Sequence, residues 1–258
     1  MKFIGIIPAR YNSTRFPGKP LHVIEGKSMI QRVYEQCTLA SVLNALTVAT
    51  DDQRIFDHVV SFGGMTIMTN RNHTCGTERC HEAFKLLKNE NKFSDDDVVI
   101  NIQGDEPLIN PKQIELVCSC FSGSCVNIAT LIRKIDDPDD LMNPGVMKVV
   151  TDKNKKALYF SRAPIPYLRG VAQNDWLNYC EYFMHVGIYA YRASVLNEIV
   201  KLPQSPLEQA ESLEQLRWLE NGYPIHVALT DIASHSVDTP QDVNKIINLL
   251  NKKNNPDR

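Results

Sequence analysis

Short apolar runs alternate with segments of helical periodicity along most of the chain. The runs FIGII (3–7), ALTVAT (45–50), MTIMT (65–69), DVVINIQ (97–103), VNIATLI (126–132), VMKVVTD (146–152), ALYFSR (157–162), HVGIYAY (185–191) and IHVALT (225–230) read as strands, being short and rich in β-branched and aromatic residues. Apolar positions recur at helical spacing in Ser28–Leu39, Asp52–Phe62, Thr77–Asn89, Pro111–Cys120, Arg192–Lys201, Leu207–Asn221 and Thr239–Leu250. This alternation predicts an α/β fold with a mostly parallel central sheet and helices on both faces. Two helix starts are explicit: Ser205, Pro206 and Glu208 form an N-cap, first-turn proline and capping-box acid, and Thr239, Pro240 and Asp242 repeat the arrangement. Asp136–Tyr182 breaks the rhythm with DDPDD, strand-like runs without a long helix between them, and SRAPIPY. It predicts a smaller, partly antiparallel excursion suited to an interface, and the tail NKKNNPDR (251–258) is expected to fray.

At 258 residues the chain can bury the core of one large α/β domain or two small ones. A formal charge of -2 argues against a general nucleic-acid coat, so any anion site is local. Seven cysteines, an odd number, suit a reducing compartment better than a disulfide framework. The run Phe3–Ile7 is short for a signal-peptide core, and no apolar run approaches the roughly 20 residues that span a bilayer. The expectation is a cytoplasmic protein without membrane insertion.

Ligands of open α/β sheets gather beyond the carboxyl ends of the strands. Here the exits read PAR, TDD, NRNHTCGTER and QGDEP. The first opens PARYNSTRFPGKPL, which places Arg10, Arg15 and Lys19 around a segment with one glycine. Three cations in one loop repel one another unless an anion sits among them. The loop matches neither a P-loop, because Pro20 stands where Ser or Thr is needed, nor a G-x-G-x-x-G turn. It suits a polyphosphate held by side chains together with backbone N–H groups. NIQGDEP supplies Gln103, Asp105 and Glu106 directly after an apolar strand, and a carboxylate facing a phosphate-holding loop is placed to carry Mg²⁺. Asp238, in SVDTPQD, is the candidate for a second metal carboxylate; its alternative role is stabilising a helix dipole.

HTCGTERCH invites a zinc reading, but its spacing matches no usual arrangement. Gly76 and Thr77 read instead as a helix entry whose N–H groups, with Arg79, serve a nucleobase or phosphate. Cys118 and Cys120 fit small apolar packing. His185 and Tyr189 lie four apart, on one side of a regular strand, where a core histidine is the alternative. Glu211, Glu214 and Gln215 share a flank of the helix expected over Leu207–Asn221; they form either a solvated acidic face or acceptors for sugar hydroxyls.

PARYNSTRFPGKPL, CGTER, NIQGDEP, MKVV, ALYFSR, HVGIY, SPLE…LEQLR and VDTPQD, in this order, resemble the 3-deoxy-manno-octulosonate cytidylyltransferase family from Met1 to about Leu250. The resemblance implies a Rossmann-like nucleotidyltransferase fold over 1–258 as a single domain, with 136–190 a sugar-side and dimerisation excursion of a homodimer. It implies the Mg²⁺-dependent reaction of CTP with the acid sugar Kdo to give CMP-Kdo and pyrophosphate, for lipopolysaccharide biosynthesis. By motif position, Arg10, Arg15 and Lys19 would grip the triphosphate, Cys75, Gly76 and Arg79 would lie near the cytidine, and Asp105 and Asp238 would hold metal, with Lys19, Asp105 and Asp238 the catalytic set. Gln103, Arg162, His185, Tyr189, Glu214 and Gln215 would line the sugar pocket, and Glu211 is a further candidate. Two positions depart from the family pattern: Cys75 replaces a usual serine, and Met184 stands where a basic residue is common. The alternatives are a cytidylyltransferase for an 8-amino Kdo variant or a sialic acid, and a non-catalytic nucleotide sensor.

Overall fold

The computed structural model describes residues 1–91, 93–123 and 125–254. Its elements follow the predicted alternation: β1 (Phe3–Ala9), β2 (Val23–Ile24), β3 (Lys27–Ser28), α1 (Met29–Thr38), β4 (Ala45–Thr50), α2 (Gln53–Ser61), β5 (Thr66–Met68), α3 (Gly76–Asn91), β6 (Val98–Asn101) and α4 (Pro111–Ser119). Then come β7 (Ile128–Lys134), α5 (Pro138–Met142), β8 (Lys148–Thr151), β9 (Ala157–Ser161), α6 (Trp176–Tyr179), β10 (Phe183–Arg192), α7 (Ala193–Ile199), α8 (Pro206–Glu211), α9 (Glu214–Glu220), β11 (Ile225–Leu229) and α10 (Asp242–Asn254). The chain divides into two compact units, Met1–Glu115 with Ser234–Arg258, and Leu116–Ala233.

In the first unit β6, β1, β4 and β5 pair side by side, all parallel. The inner strands are apolar on both faces, as parallel strands covered by helices must be; Ile4, Ile6, Ile7, Val48 and Val98–Ile100 are fully buried. Helices α1 to α3 pack on these strands. Ser28 caps α1 by accepting from the Gln31 amide, and Asp52 caps α2 by accepting from the Arg54 amide.

The second unit is mixed. β11 runs parallel to β7, whereas β10 is antiparallel to both β7 and β8, and β8 to β9. The antiparallel character expected of 136–182 is present in β8 and β9, and it extends beyond that segment to β7 and β10. The segment has its own small core of Ile135, Leu141, Trp176 and Tyr182. Cys118 is buried, in keeping with small apolar packing.

Two predicted helices differ. The helix expected over Leu207–Asn221 is two, because Ser212 takes the left-handed conformation (φ 53°) and ends α8. The break frees carbonyls of Glu211 and Ser212 that then accept from Arg162, at 2.7 and 3.3 Å. Glu211 therefore does not share a helix flank with Glu214 and Gln215. The capping box at Ser205 and Glu208 is present as predicted. At the other site the helix starts at Asp242 rather than near Thr239, because the Asp242 carboxylate folds back to accept from the Thr239 amide and hydroxyl, both at 2.9 Å. Of the tail expected to fray, 251–254 continue α10, and 255–258 lie outside the described residues.

Candidate active site

The cation loop leaves β1 at Ala9 and ends in a turn of 3-10 helix, Lys19–Leu21. One apolar side chain fixes its middle. Phe16 is buried with Ile24, Met29, Val237, Val243 and Ile246, so a hydrophobic cluster draws the segment after Ala233 onto the loop. Phe16 and Val237 share this cluster, and their neighbours meet beside it, with Arg15 Nη2 2.8 Å from Asp238 Oδ1. Sequence separation of more than two hundred residues is closed by apolar burial, and the ion pair follows.

Lys19 makes the second link. Its Nζ donates to Asp105 Oδ2 at 2.5 Å and to the Val237 carbonyl at 2.9 Å, and the Val237 amide donates to the Asp105 carbonyl at 2.9 Å. The Lys19 and Asp105 side chains are only 15% and 26% exposed, so their attraction is screened less than that of the more open Arg15–Asp238 pair. Gly104 permits this approach: a Cβ there would stand 2.9 Å from the Pro8 carbonyl oxygen.

The third wall is the start of α3, where Cys75 and Gly76 lead into the first turn as expected of a helix entry. Arg79 reaches the same cavity, but its guanidinium is nearly buried. It donates to Thr69 Oγ1 at 2.6 Å and lies 3.2 Å from Asp51 Oδ2, bracing the strand exits as well as facing the site. A half-open cavity of about 240 Å³ brings together Arg10, Arg15, Lys19, Cys75, Gly76 and Arg79 with Gln103, Asp105 and Asp238. Every nucleotide and metal candidate thus falls in one place in the first unit.

Ser13, His73 and Thr74 also line this cavity; of the three the sequence marks only His73, and for a zinc reading that its spacing does not support. His73 is held by Glu82, and the Thr74 amide donates to Glu78 Oε2 at 2.8 Å. For Thr74 the only signal is the polar content of the exit NRNHTC, which offers no way to choose among its members. Glu106 also carries more than the sequence suggests. The residue is 6% exposed, and burial, with the Asp105 charge second, raises its pKa from 4.5 to about 7.

The remaining sugar candidates lie in the second unit, whereas Gln103 lies in the first. β10 is not regular: its register with β7 shifts between Val186 and Tyr189. The His185 and Tyr189 rings nevertheless lie 5.0 Å apart, and Tyr189 packs edge-on against Trp218. His185 is half-buried with its ring turned inward, and this desolvation lowers its pKa from 6.5 to about 3 and keeps the imidazole neutral. Its Nε2 pairs with Thr130 Oγ1 at 2.9 Å, while its Nδ1 and the Tyr189 hydroxyl have no hydrogen-bond partner among the described residues. Buried polar atoms of this kind call for a ligand or water. Gln215 is buried at the start of α9 beside Glu214. Arg162 is engaged by three carbonyls, those of Glu211, Ser212 and Pro144, while the Glu211 carboxylate accepts from Ser161 Oγ at 2.6 Å and the Arg162 amide at 2.9 Å. Met184, the departure beside His185, pairs across the strands with Arg133, whose Nη2 is 3.5 Å from its sulfur.

Among the described residues no three His, Cys, Asp or Glu side chains group to hold a metal by themselves. Asp105 and Asp238 offer hard oxygen donors on the edge of a cationic cavity. Such a donor set fits Mg²⁺, which takes one or two carboxylates and completes its shell with phosphate oxygens and water.

The relatives of the chain agree with this chemistry. A family profile described as cytidylyltransferase matches residues 4–232. The 3-deoxy-manno-octulosonate cytidylyltransferase of Parabacteroides distasonis is 52% identical over 254 residues, covering 97% of this chain and 98% of its own length. That of Phocaeicola vulgatus is 53% identical over 247 residues, covering 94% and 95%. Among solved structures, a CMP:2-keto-3-deoxy-manno-octonic acid synthetase complexed with CTP matches with a TM-score of 0.88 and 41% identity, over 98% of this chain and 100% of its own. A 4-diphosphocytidyl-2C-methyl-D-erythritol synthase, 13% identical with a TM-score of 0.62 over 97% of this chain and all of its own, shares the fold. With half of all positions identical over nearly the full length of curated relatives, the chain belongs to the 3-deoxy-manno-octulosonate cytidylyltransferase family.

Proposed function

We propose that the protein activates Kdo with CTP, giving CMP-Kdo and pyrophosphate. The observation that carries this reading is one cavity of the first unit, in which three loop cations face Asp105, just beyond the end of β6, and Asp238, just before α10. In the reaction the anomeric hydroxyl oxygen of the sugar attacks the α-phosphorus in line, the bond from that phosphorus to the bridging oxygen breaks, and pyrophosphate leaves with the bond electrons. Arg10, Arg15 and Lys19 take the triphosphate, and Lys19 and Arg15 stabilise the charge that grows on the leaving group. The helix entry at Cys75 and Gly76, with Arg79, serves the cytidine. A thiol at position 75 is a weak donor, so recognition there falls to the backbone.

Asp105 and Asp238 would hold Mg²⁺, which when bound supplies charge neutralisation at the phosphate oxygens and acidifies the attacking hydroxyl. Gln103 in the first unit, and Arg162, His185, Tyr189, Glu214 and Gln215 in the second, are assigned to the acid sugar. The unpartnered Nδ1 of neutral His185 and the Tyr189 hydroxyl support that assignment, since sugar hydroxyls can both donate and accept. The product feeds lipopolysaccharide biosynthesis in the cytoplasm, and none of the described helices is long and apolar enough to cross a membrane. The protein acts as a homodimer through 136–190, a role supported by the exposed Leu158, Tyr167 and Tyr179.

Pyrophosphate release from CTP, measured over a panel of acid sugars with and without Mg²⁺, tests the reading. Release with Kdo and Mg²⁺ that exceeds release with sialic acid or 8-amino Kdo is the expected result. Preference for another acid sugar would move the assignment to that sugar, and release with none would overturn it in favour of a nucleotide sensor.

A further inference from the structure

The cation loop is held shut from outside the cavity. The Gly18 amide donates to the Tyr11 carbonyl at 2.9 Å, closing a ring of backbone just before Lys19. Gly18 has φ +71°, and a Cβ at that position would sit 3.2 Å from the Tyr11 ring, so only glycine lets the ring lie against the backbone there. Over the Tyr11 ring stands the Arg54 guanidinium, its carbon 3.3 Å from the ring centroid. Arg54 is fixed in turn by a two-pronged contact with Asp52, Nε to Oδ1 at 2.9 Å and Nη2 to Oδ2 at 2.6 Å, and Asp52 is the N-cap of α2. Hydrogen bonds from the Arg54 side chain hold the Asp52 carboxyl below its ordinary pKa, so the fork stays charged through the neutral range. The chain of contacts therefore runs from a rigid helix start, through a stacked cation and a tyrosine ring, to the residue beside Lys19.

We propose that Arg54 and Tyr11 are positioning residues for the nucleotide, clamping the loop in the register that presents Arg15 and Lys19 to the triphosphate. Neither is one of the cations assigned to the phosphates. Arg54 is bound to its own carboxylate and stacked on the ring, so it acts on CTP through the loop. Arg15 and Lys19 are paired with Asp238 and Asp105 before the triphosphate arrives, and the clamp keeps the loop in place while those pairs are exchanged for phosphate oxygens. Cation–ring contacts and forked Arg–carboxylate pairs at exposed sites are each worth a modest amount, so the expected effect is a moderate loss of CTP affinity and not a loss of chemistry.

This inference rests on the proposed use of CTP. The test is two-substrate kinetics of Arg54→Ala beside the wild type, with calorimetric binding of CTP in the presence of Mg²⁺. The clamp predicts a CTP KM and Kd raised about fivefold, with kcat at saturating CTP and the Kdo KM each within about twofold, and a melting temperature within about 2 °C of wild type. Arg54→Lys does not restore CTP binding, because an ammonium neither forks onto Asp52 nor lies flat on the ring. Tyr11→Phe shifts CTP binding much less than Tyr11→Ala, and this pair carries the same test should Arg54→Ala not fold. An unaltered CTP KM and Kd in Arg54→Ala, full restoration by lysine, or equal rises for CTP and Kdo with a lowered melting temperature would each overturn the clamp. A wild type that neither binds CTP nor turns it over would instead contradict the proposed activity itself.

Discussion

The two units treat the polar groups of their candidate sites in opposite ways. In the first, the candidate residues are charged and paired across the cavity: Lys19 with Asp105, and Arg15 with Asp238. In the second, His185 and Tyr189 are neutral, packed among aromatic rings, and leave a buried ring nitrogen and a buried hydroxyl without partners among the described residues. Matched charges suit a ligand that is itself a set of charges, because a metal and a polyphosphate can exchange for the resident pairs. Orphaned neutral groups suit hydroxyls, whose hydrogen bonds satisfy them without a net change of charge. The contrast supports the proposed assignment of the triphosphate to residues of the first unit and of most sugar contacts to residues of the second.

The largest break in this contrast is Asp105→Asn. Turnover at saturating Mg²⁺ should fall about a thousandfold with the circular dichroism spectrum retained, since Asp105 is the proposed metal ligand, while the melting temperature of the metal-free protein drops because Lys19 loses its partner carboxylate. Near-normal turnover would remove Asp105 from the metal site.

Next in size are two titrations of opposite sign. Glu106 is a buried carboxyl whose pKa, raised from 4.5 to about 7, means that the unfolded chain ionises first, so stability falls as pH rises through that window. Glu106→Gln should abolish the fall and add about 3 kcal/mol above pH 7 in the metal-free protein, at about 1.36 kcal/mol per pKa unit. His185 acts the other way. With its pKa lowered from 6.5 to about 3, the unfolded chain takes up the proton first, and stability is lost as pH falls through that window. Denaturant melts of His185→Gln between about pH 3 and pH 7 should show a flatter acid limb, and an unchanged limb would place the sensitivity elsewhere.

Smaller effects belong to single ligand contacts. Lys19→Ala removes the proposed charged contact to the triphosphate, so the CTP KM should rise about thirtyfold, near 2 kcal/mol, and kcat should fall as well because the same charge steadies the leaving group. Tyr189→Phe removes one neutral hydroxyl contact and should raise the Kdo KM about fivefold, near 1 kcal/mol.

Much of this is legible in sequence. The strands are readable because apolar runs of limited length have one use in an α/β fold, and β4 falls on the expected Ala45–Thr50. The exits follow from the strands, and with them Lys19, Asp105 and the helix entry at Gly76. What stays hidden depends on contacts between distant segments. Ser212 breaks a helix that its own propensity would not break, with its carbonyl and that of Glu211 answered by Arg162 some fifty residues earlier. Asp238 reaches Arg15 beside the cluster that Phe16 and Val237 share, which no periodicity reveals. Arg54 reads as an ordinary surface cation at a helix start until the Tyr11 ring is seen beneath it.

Two-substrate steady-state kinetics of Lys19→Ala and Tyr189→Phe, measured side by side with CTP and Kdo, tests the division of labour most directly. The prediction is a crossed result: Lys19→Ala raises the CTP KM about thirtyfold and leaves the Kdo KM within about twofold, while Tyr189→Phe raises the Kdo KM and leaves that for CTP unchanged. Both KM values moving together in either variant would contradict it.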